Sequence, residues 1–295
     1  MEDRTISLRC ADGIRLTGTL YGSEKAGRGL LVAGALGVPR RFYATFAQYM
    51  AAAGWLVLTL DYRGSGDSLQ GLPPGRQLRM QKWGEQDIEA GLRCLRDERS
   101  VKTLALLGHS AGAQLPGLAP ASRWLDALVL VAGTAPHLRH YPWRSRPMLA
   151  LVWYGLAPLL SWRRDHFPTR ATGLGTTPVA AGVVAQWARW ARSRNYLFDT
   201  RHGIDTRGYG RLRLPLLSCG FADDSYASQA AIEALLRHYS AAAIERRWVP
   251  APAHEPIGHF GYFRQRQAGT LWQDTRDWLD IATQNIPGEN NQCNT

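Results

Sequence analysis

One pentapeptide restricts this chain more than any other feature. Gly108-His109-Ser110-Ala111-Gly112 follows the apolar, strand-like run Thr103–Leu107 and opens a short helical stretch. A G-x-S-x-G sequence in that context holds a serine at the end of a buried strand, on a turn tight enough to expose its hydroxyl. The glycines let the strand and helix backbones approach without a Cβ, and the helix N-terminus aims N–H groups at developing negative charge. Ser110 is therefore the candidate nucleophile. His109, beside it on the strained turn, is read as structural. Pro116, six residues after Ser110, predicts a short or kinked helix, because proline removes a backbone donor.

The rest of the chain alternates strand and helix after an opening hairpin. Thr5–Cys10 and Ile14–Tyr21 read as strands joined through Asp12-Gly13, a strong tight-turn dipeptide. Gly29–Ala33, Trp55–Leu60, Ala127–Ala132, Leu214–Cys219 and Ile244–Val249 are further strand-like runs. Arg41–Ala53, Trp83–Glu98, Tyr226–Tyr239 and Leu271–Thr283 have helical patterns. Such alternation implies a mostly parallel sheet covered on both faces. From Thr134 to Leu212 the alternation stops, and an Arg-, Trp- and Pro-rich block includes a helical stretch, Val183–Arg194. The polar tail, residues 285–295, is expected to be disordered.

Charge is concentrated in that block. The chain carries a net charge of +11 with only three lysines. Between Thr134 and Arg213 there are thirteen arginines against three acids, Asp165, Asp199 and Asp205. Arginine-rich composition explains the choice of Arg over Lys, but not the shortage of acids in one place. Two readings follow: a solvated basic surface, or arginines that meet an anionic ligand. Nucleic acid is not expected, because zinc-finger spacing, RNP-type motifs and an isolated basic helix are all missing. No stretch reaches the roughly 18 apolar residues of a membrane span; the nearest, Pro147–Trp162, is interrupted by Gly155 and Pro158. The charged start, Met1-Glu2-Asp3-Arg4, predicts no secretory signal. Four scattered cysteines, Cys10, Cys94, Cys219 and Cys293, show no metal or redox spacing. They fit unpaired thiols in the cytoplasm, and no metal or cofactor is expected.

The chain resembles the α/β-hydrolase superfamily along nearly its whole length. Besides the serine turn, Asp61 to Ser68 (DYRGSGDS) is similar to the D-x-R-G-x-G-x-S turn common there, a feature of the fold and not of the chemistry. Ala33-Gly34-Ala35-Leu36-Gly37 stands where the family has His-Gly-x-x-Gly. Ile257 to Arg264 (IGHFGYFR) resembles the catalytic-histidine loop of a bacterial subfamily of serine hydrolases known by fold rather than reaction. The resemblance implies an α/β-hydrolase fold: a mostly parallel eight-stranded sheet with helices on both faces and a cap inserted after strand 6. Residues 1–133 and 214–284 would form the core, and residues 134–213 the aromatic, arginine-rich cap.

The superfamily order of serine, acid and histidine selects the partners. His259 is the expected base, because Gly258 precedes it as in the family loop; His254 is the alternative. The acid is Asp224 or its neighbour Asp223. The family register, four residues before a small residue (Ser228), favours Asp224, and the other aspartate would cap the next helix. Oxyanion donors are expected at the N–H groups of Ala35 and Ala111, which do not depend on the missing His at position 33. Trp143, Trp153, Trp187 and Trp190 form either the block's own small core or an apolar wall for an acyl group, with Arg163 and Arg164 at its rim. The implied activity is ester or thioester hydrolysis through an acyl-enzyme on Ser110. The substrate would be a small acyl compound, anionic or carrier-bound if the arginines contact it. An acyltransferase or cyclase would use the same intermediate; a non-catalytic binding protein is the third reading.

Overall fold

The computed structural model describes residues 3–99, 101–250 and 255–284. The chain opens with the hairpin β1 (Arg4–Arg9) and β2 (Arg15–Tyr21), followed by β3 (Arg28–Ala33), β4 (Trp55–Leu60), β5 (Thr103–His109) and β6 (Ala127–Val131). A two-residue pair, β7 (His166–Phe167) and β8 (Val179–Ala180), precedes β9 (Pro215–Phe221) and β10 (Ala243–Val249). Eight strands form one sheet in the order β1-β2-β4-β3-β5-β6-β9-β10. β1 pairs antiparallel with β2 and β2 with β4, while every pairing beyond β4 is parallel. The expected eight-stranded, mostly parallel sheet is therefore present. Every residue of β4 and β6 is buried, as in strands covered on both faces, which explains their unbroken apolar sequences.

The Asp61–Ser68 turn is a polar knot at the end of β4. The buried Asp61 carboxylate accepts from the Arg40 backbone N–H at 2.7 Å and pairs with the Arg40 guanidinium. Arg63 is buried against Asp87 at 2.6 Å. A Cβ on Gly66, at φ +55°, would collide with the Asp61 carboxylate. These groups serve the fold, as the sequence suggested. Cys10, Cys94 and Cys219 are free and buried; Cys293, the tail from 285 onward and His254 lie outside the described residues.

Two elements differ from expectation. The helix expected over Tyr226–Tyr239 is confined to Gln229–Leu236, because Ser228 caps it by accepting from the Ala231 N–H at 3.3 Å. Asp223 is therefore not its cap. The pair β7 and β8 lies inside the block read as strandless, and two-residue strands leave no alternation to detect. The helix after Ser110 is short, as Pro116 predicts: it runs only from Ala111 to Gln114. The Gln114 carbonyl thereby freed accepts instead from the Tyr209 hydroxyl at 2.6 Å, and Tyr209 packs where a Cβ on Gly117 would stand.

Candidate active site

β5 runs straight into the serine turn, and Ser110 adopts φ +52°, ψ −110°. A non-glycine residue held in that region is strained and persists only where its surroundings force it. The two glycines supply the force. A Cβ on Gly108 would stand 2.6 Å from the Ala113 Cα, and one on Gly112 would meet the Ala33 carbonyl at the end of β3. The turn is thus clamped between its own helix and the neighbouring strand, and the Ser110 hydroxyl faces a cavity.

His259 Nε2 stands 2.7 Å from Ser110 Oγ, and His259 Nδ1 stands 2.7 Å from Asp224 Oδ2. The Asp224 side chain is fully buried, and its other oxygen accepts from the Tyr226 N–H at 2.7 Å and the Ala227 N–H at 3.1 Å. That carboxylate is held at both ends. Because it accepts from His259 Nδ1–H, Nε2 is left to accept from the Ser110 hydroxyl. The His259 ring is packed between Tyr226 and Phe260, with centroids 5.3 and 5.0 Å away. Gly258, at φ +55°, lets the loop turn to present it. Asp223 is not part of this arrangement: among the described residues neither of its carboxylate oxygens has a hydrogen-bond partner.

His109 points away from the cavity and joins three loops of the site. Its Nε2 lies 2.8 Å from the His259 carbonyl and its Nδ1 lies 2.9 Å from the Tyr43 hydroxyl. Complete burial and the nearby His259 hold the imidazole well below the ordinary histidine range, so it is neutral. The bond directions follow from that. Nε2–H donates to the His259 carbonyl, Nδ1 accepts from Tyr43 O–H, and Tyr43 Oη accepts from the Ala35 N–H at 2.7 Å. One chain of hydrogen bonds therefore fixes the turn after β3, the serine turn and the histidine loop relative to one another.

This chain corrects the expectation for Ala35. Its N–H is directed into the core and already has a partner, so it is not free to face Ser110. The next N–H, that of Leu36, has no acceptor among the described residues, and Leu36 lines the same cavity as Ser110. Ala111 also lines it, and its N–H opens a helix, where no intrahelical acceptor exists. Sequence spacing could not reveal the difference, because Tyr43 is fixed by packing and not by the turn itself.

The segment between β6 and β9 roofs the cavity. Its loop at 172–177 is tied to the turn after β3: the Thr176 and Thr177 N–H groups donate to the Gly37 carbonyl at 2.8 and 3.0 Å. A continuous helix over residues 146–161, which includes a wide π turn at Leu151–Leu156, contributes Leu149, Val152 and Trp153 to the lining. Trp187, Tyr141, Leu174 and Gln114 also line it. The signal for the inner helix face was present as apolar residues three and four apart; Gln114 carried none.

The other expected substrate contacts are elsewhere. Trp190 is buried against Tyr196 and belongs to the segment's own core. Trp143 is 71% exposed. Arg163 and Arg164 are exposed beyond the end of the helix, where the Arg163 guanidinium sits over the Trp162 ring at 5.0 Å. No Asp, Glu, Lys or Arg side chain lines the cavity. None of the thirteen arginines of this segment lines it, and twelve of them are exposed to water.

Residues 31–172 match the family model described as serine aminopeptidase, S33. No curated protein matches the chain in sequence. Among solved structures, DcsB in complex with its substrate analogue has a TM-score of 0.67 at 14% identity, covering 96% of this chain and 100% of DcsB. The α/β hydrolase GrgF from Penicillium sp. has a TM-score of 0.64 at 14% identity, covering 96% and 100%. An esterase of Pyrococcus furiosus has a TM-score of 0.63 at 15% identity, covering 95% and 91%. At such identities the shared property is the fold.

Proposed function

We propose that this α/β hydrolase cleaves a carboxylic ester or thioester through a covalent acyl-enzyme on Ser110. The reading rests on one observation, the continuous hydrogen-bonded series Ser110–His259–Asp224 at the floor of an apolar cavity. A serine hydroxyl is a weak nucleophile until a base accepts its proton. His259 Nε2 takes that proton as Ser110 Oγ attacks the carbonyl carbon, and Asp224 fixes the tautomer and stabilises the imidazolium. The N–H groups of Ala111 and Leu36 hold the oxyanion of the tetrahedral intermediate. The intermediate collapses as His259 protonates the leaving oxygen or sulfur. Water, activated by the same imidazole, then releases the acid and restores Ser110.

Residues 134–213 act as the cap in this reading, and the uncharged lining selects a neutral, apolar acyl group. A carboxylate-bearing acyl group would lose its hydration there without gaining a cation. The test is a series of p-nitrophenyl esters and acyl thioesters of increasing chain length, with intact-protein mass spectrometry of trapped intermediates. Turnover should rise with acyl length until the cavity is filled, roughly threefold to fourfold per buried CH₂ group in kcat/KM. A monocarboxylic acyl group should exceed its ω-carboxylate analogue by at least about tenfold. Preference for the charged analogue, or no acyl adduct on Ser110, would remove the reading.

The Tyr43–His109 chain carries its own expectation. Tyr43→Phe leaves the Ala35 N–H buried without an acceptor, which should cost about 1–3 kcal/mol in urea unfolding. The turn that presents Leu36 loses its tether, so kcat should fall about tenfold while KM changes little. That is less than the ~10²–10³ cost of deleting an oxyanion donor outright.

A further inference from the structure

The helix over residues 146–161 is apolar on two faces, where burial requires only one. Leu149, Val152 and Trp153 point inward to the cavity. Leu151, Tyr154 and Leu159 are exposed on the other side and Met148 is half-exposed at the cavity rim, with Trp143 and Trp162 standing 71% and 73% exposed beyond its two ends. Six of the ten exposed large apolar side chains among the described residues therefore fall between positions 143 and 162. Scattered exposed apolar residues need no explanation, but a contiguous stripe does.

Arginines frame the stripe. Arg144 and Arg146 are exposed at one end, Arg163 and Arg164 at the other. The guanidinium groups of Arg144, Arg163 and Arg192 lie over the rings of Trp143, Trp162 and Tyr154 at 5.3, 5.0 and 5.7 Å. One acid, Asp165, is exposed nearby; Asp199 and Asp205 are occupied by Arg201 and Arg207.

We infer that this face docks on an anionic phospholipid surface, with the helix lying in the plane of the interface. Tryptophans at both ends, aliphatic residues between them and arginines around them form the pattern of an interfacial helix. The helix spans about 24 Å, too little to cross a bilayer core, and none of the described helices is long and apolar enough to do so. A second copy of the chain is the poorer occupant, because the same arginine surplus would then face itself. Met148 is half-exposed on the stripe and also lines the cavity, so an acyl chain leaving the membrane has an apolar path toward Ser110. This path to Ser110 rests on the proposed hydrolase reading; the docking does not.

The test is flotation with vesicles of phosphatidylcholine alone or mixed with phosphatidylglycerol, using the wild-type protein and Ser110→Ala, so that binding is read without catalysis. Both proteins should bind the anionic vesicles at least about tenfold more tightly than the neutral ones. Leu151→Ser/Leu159→Ser/Trp162→Ser should lose roughly tenfold or more on anionic vesicles, while keeping its kcat on p-nitrophenyl acetate, which shows that it folds. Arg144→Gln/Arg163→Gln/Arg164→Gln should lose on the order of a hundredfold, and 0.5 M salt should imitate it. No binding to anionic vesicles, or equal binding by all variants, overturns the inference. So does a concentration-dependent dimer that the triple serine variant dissolves in the absence of vesicle binding. Failure of the ester series with intact vesicle binding would remove the hydrolase reading alone.

Discussion

Ser110→Ala should abolish labelling by a fluorophosphonate and reduce kcat on the best ester by about 10⁴–10⁶, the range seen when a member of a catalytic triad is removed. Alanine is tolerated at position 110 because the strain of φ +52° is held by the Gly108 and Gly112 contacts and not by the serine side chain. The fold should therefore survive, with an unchanged urea midpoint. His259→Ala should fall about as far, since hydroxyl and imidazole act as one unit. His109 is the imidazole beside it, with ring centroids 5.3 Å apart, but it cannot substitute. Both of its nitrogens are engaged, one by the His259 carbonyl and one by Tyr43. Full labelling of Ser110→Ala would place the nucleophile elsewhere.

What the sequence disclosed was local and geometric. Glycines on either side of a serine, after a buried strand, demand one backbone arrangement, and β4 begins and ends where its apolar run does. His259 was legible through Gly258, whose positive φ turns the loop. The misses share a different cause: each depends on what a distant residue does to a local group. The Ala35 N–H was reassigned by a tyrosine eight positions on, and Ser228, not an aspartate, capped the helix that follows. Trp143, Trp153, Trp187 and Trp190 are alike in sequence, yet only Trp153 and Trp187 line the cavity. Composition counts aromatic rings and charges but not their direction. The arginine surplus was visible from the start, and its outward orientation was not.

The acid position gives the last large effect. In Asp224→Asn the side-chain oxygen facing the Tyr226 and Ala227 N–H groups must remain an acceptor, because both partners are donors. The new amide NH₂ is then forced toward His259 Nδ1, where the carboxylate oxygen stood 2.7 Å away. Two donors cannot face one another, so the imidazole moves its proton to Nε2 and presents N–H to Ser110 instead of a lone pair. The base is lost while the turn is kept. A cost of roughly 10⁴ in kcat is expected, as for the same change in other Ser-His-Asp triads, with little change in stability. Asp223→Asn should cost less than about tenfold, because no partner among the described residues depends on its charge. Asp224→Ala should be worse than Asp224→Asn in urea unfolding, by about 1–3 kcal/mol, since it strands two backbone donors as well. Measuring kcat and the unfolding midpoint for the three variants separates orientation of the imidazole from support of the loop. If Asp223→Asn proves more damaging than Asp224→Asn, the orienting carboxylate is its neighbour and the assignment shifts by one residue.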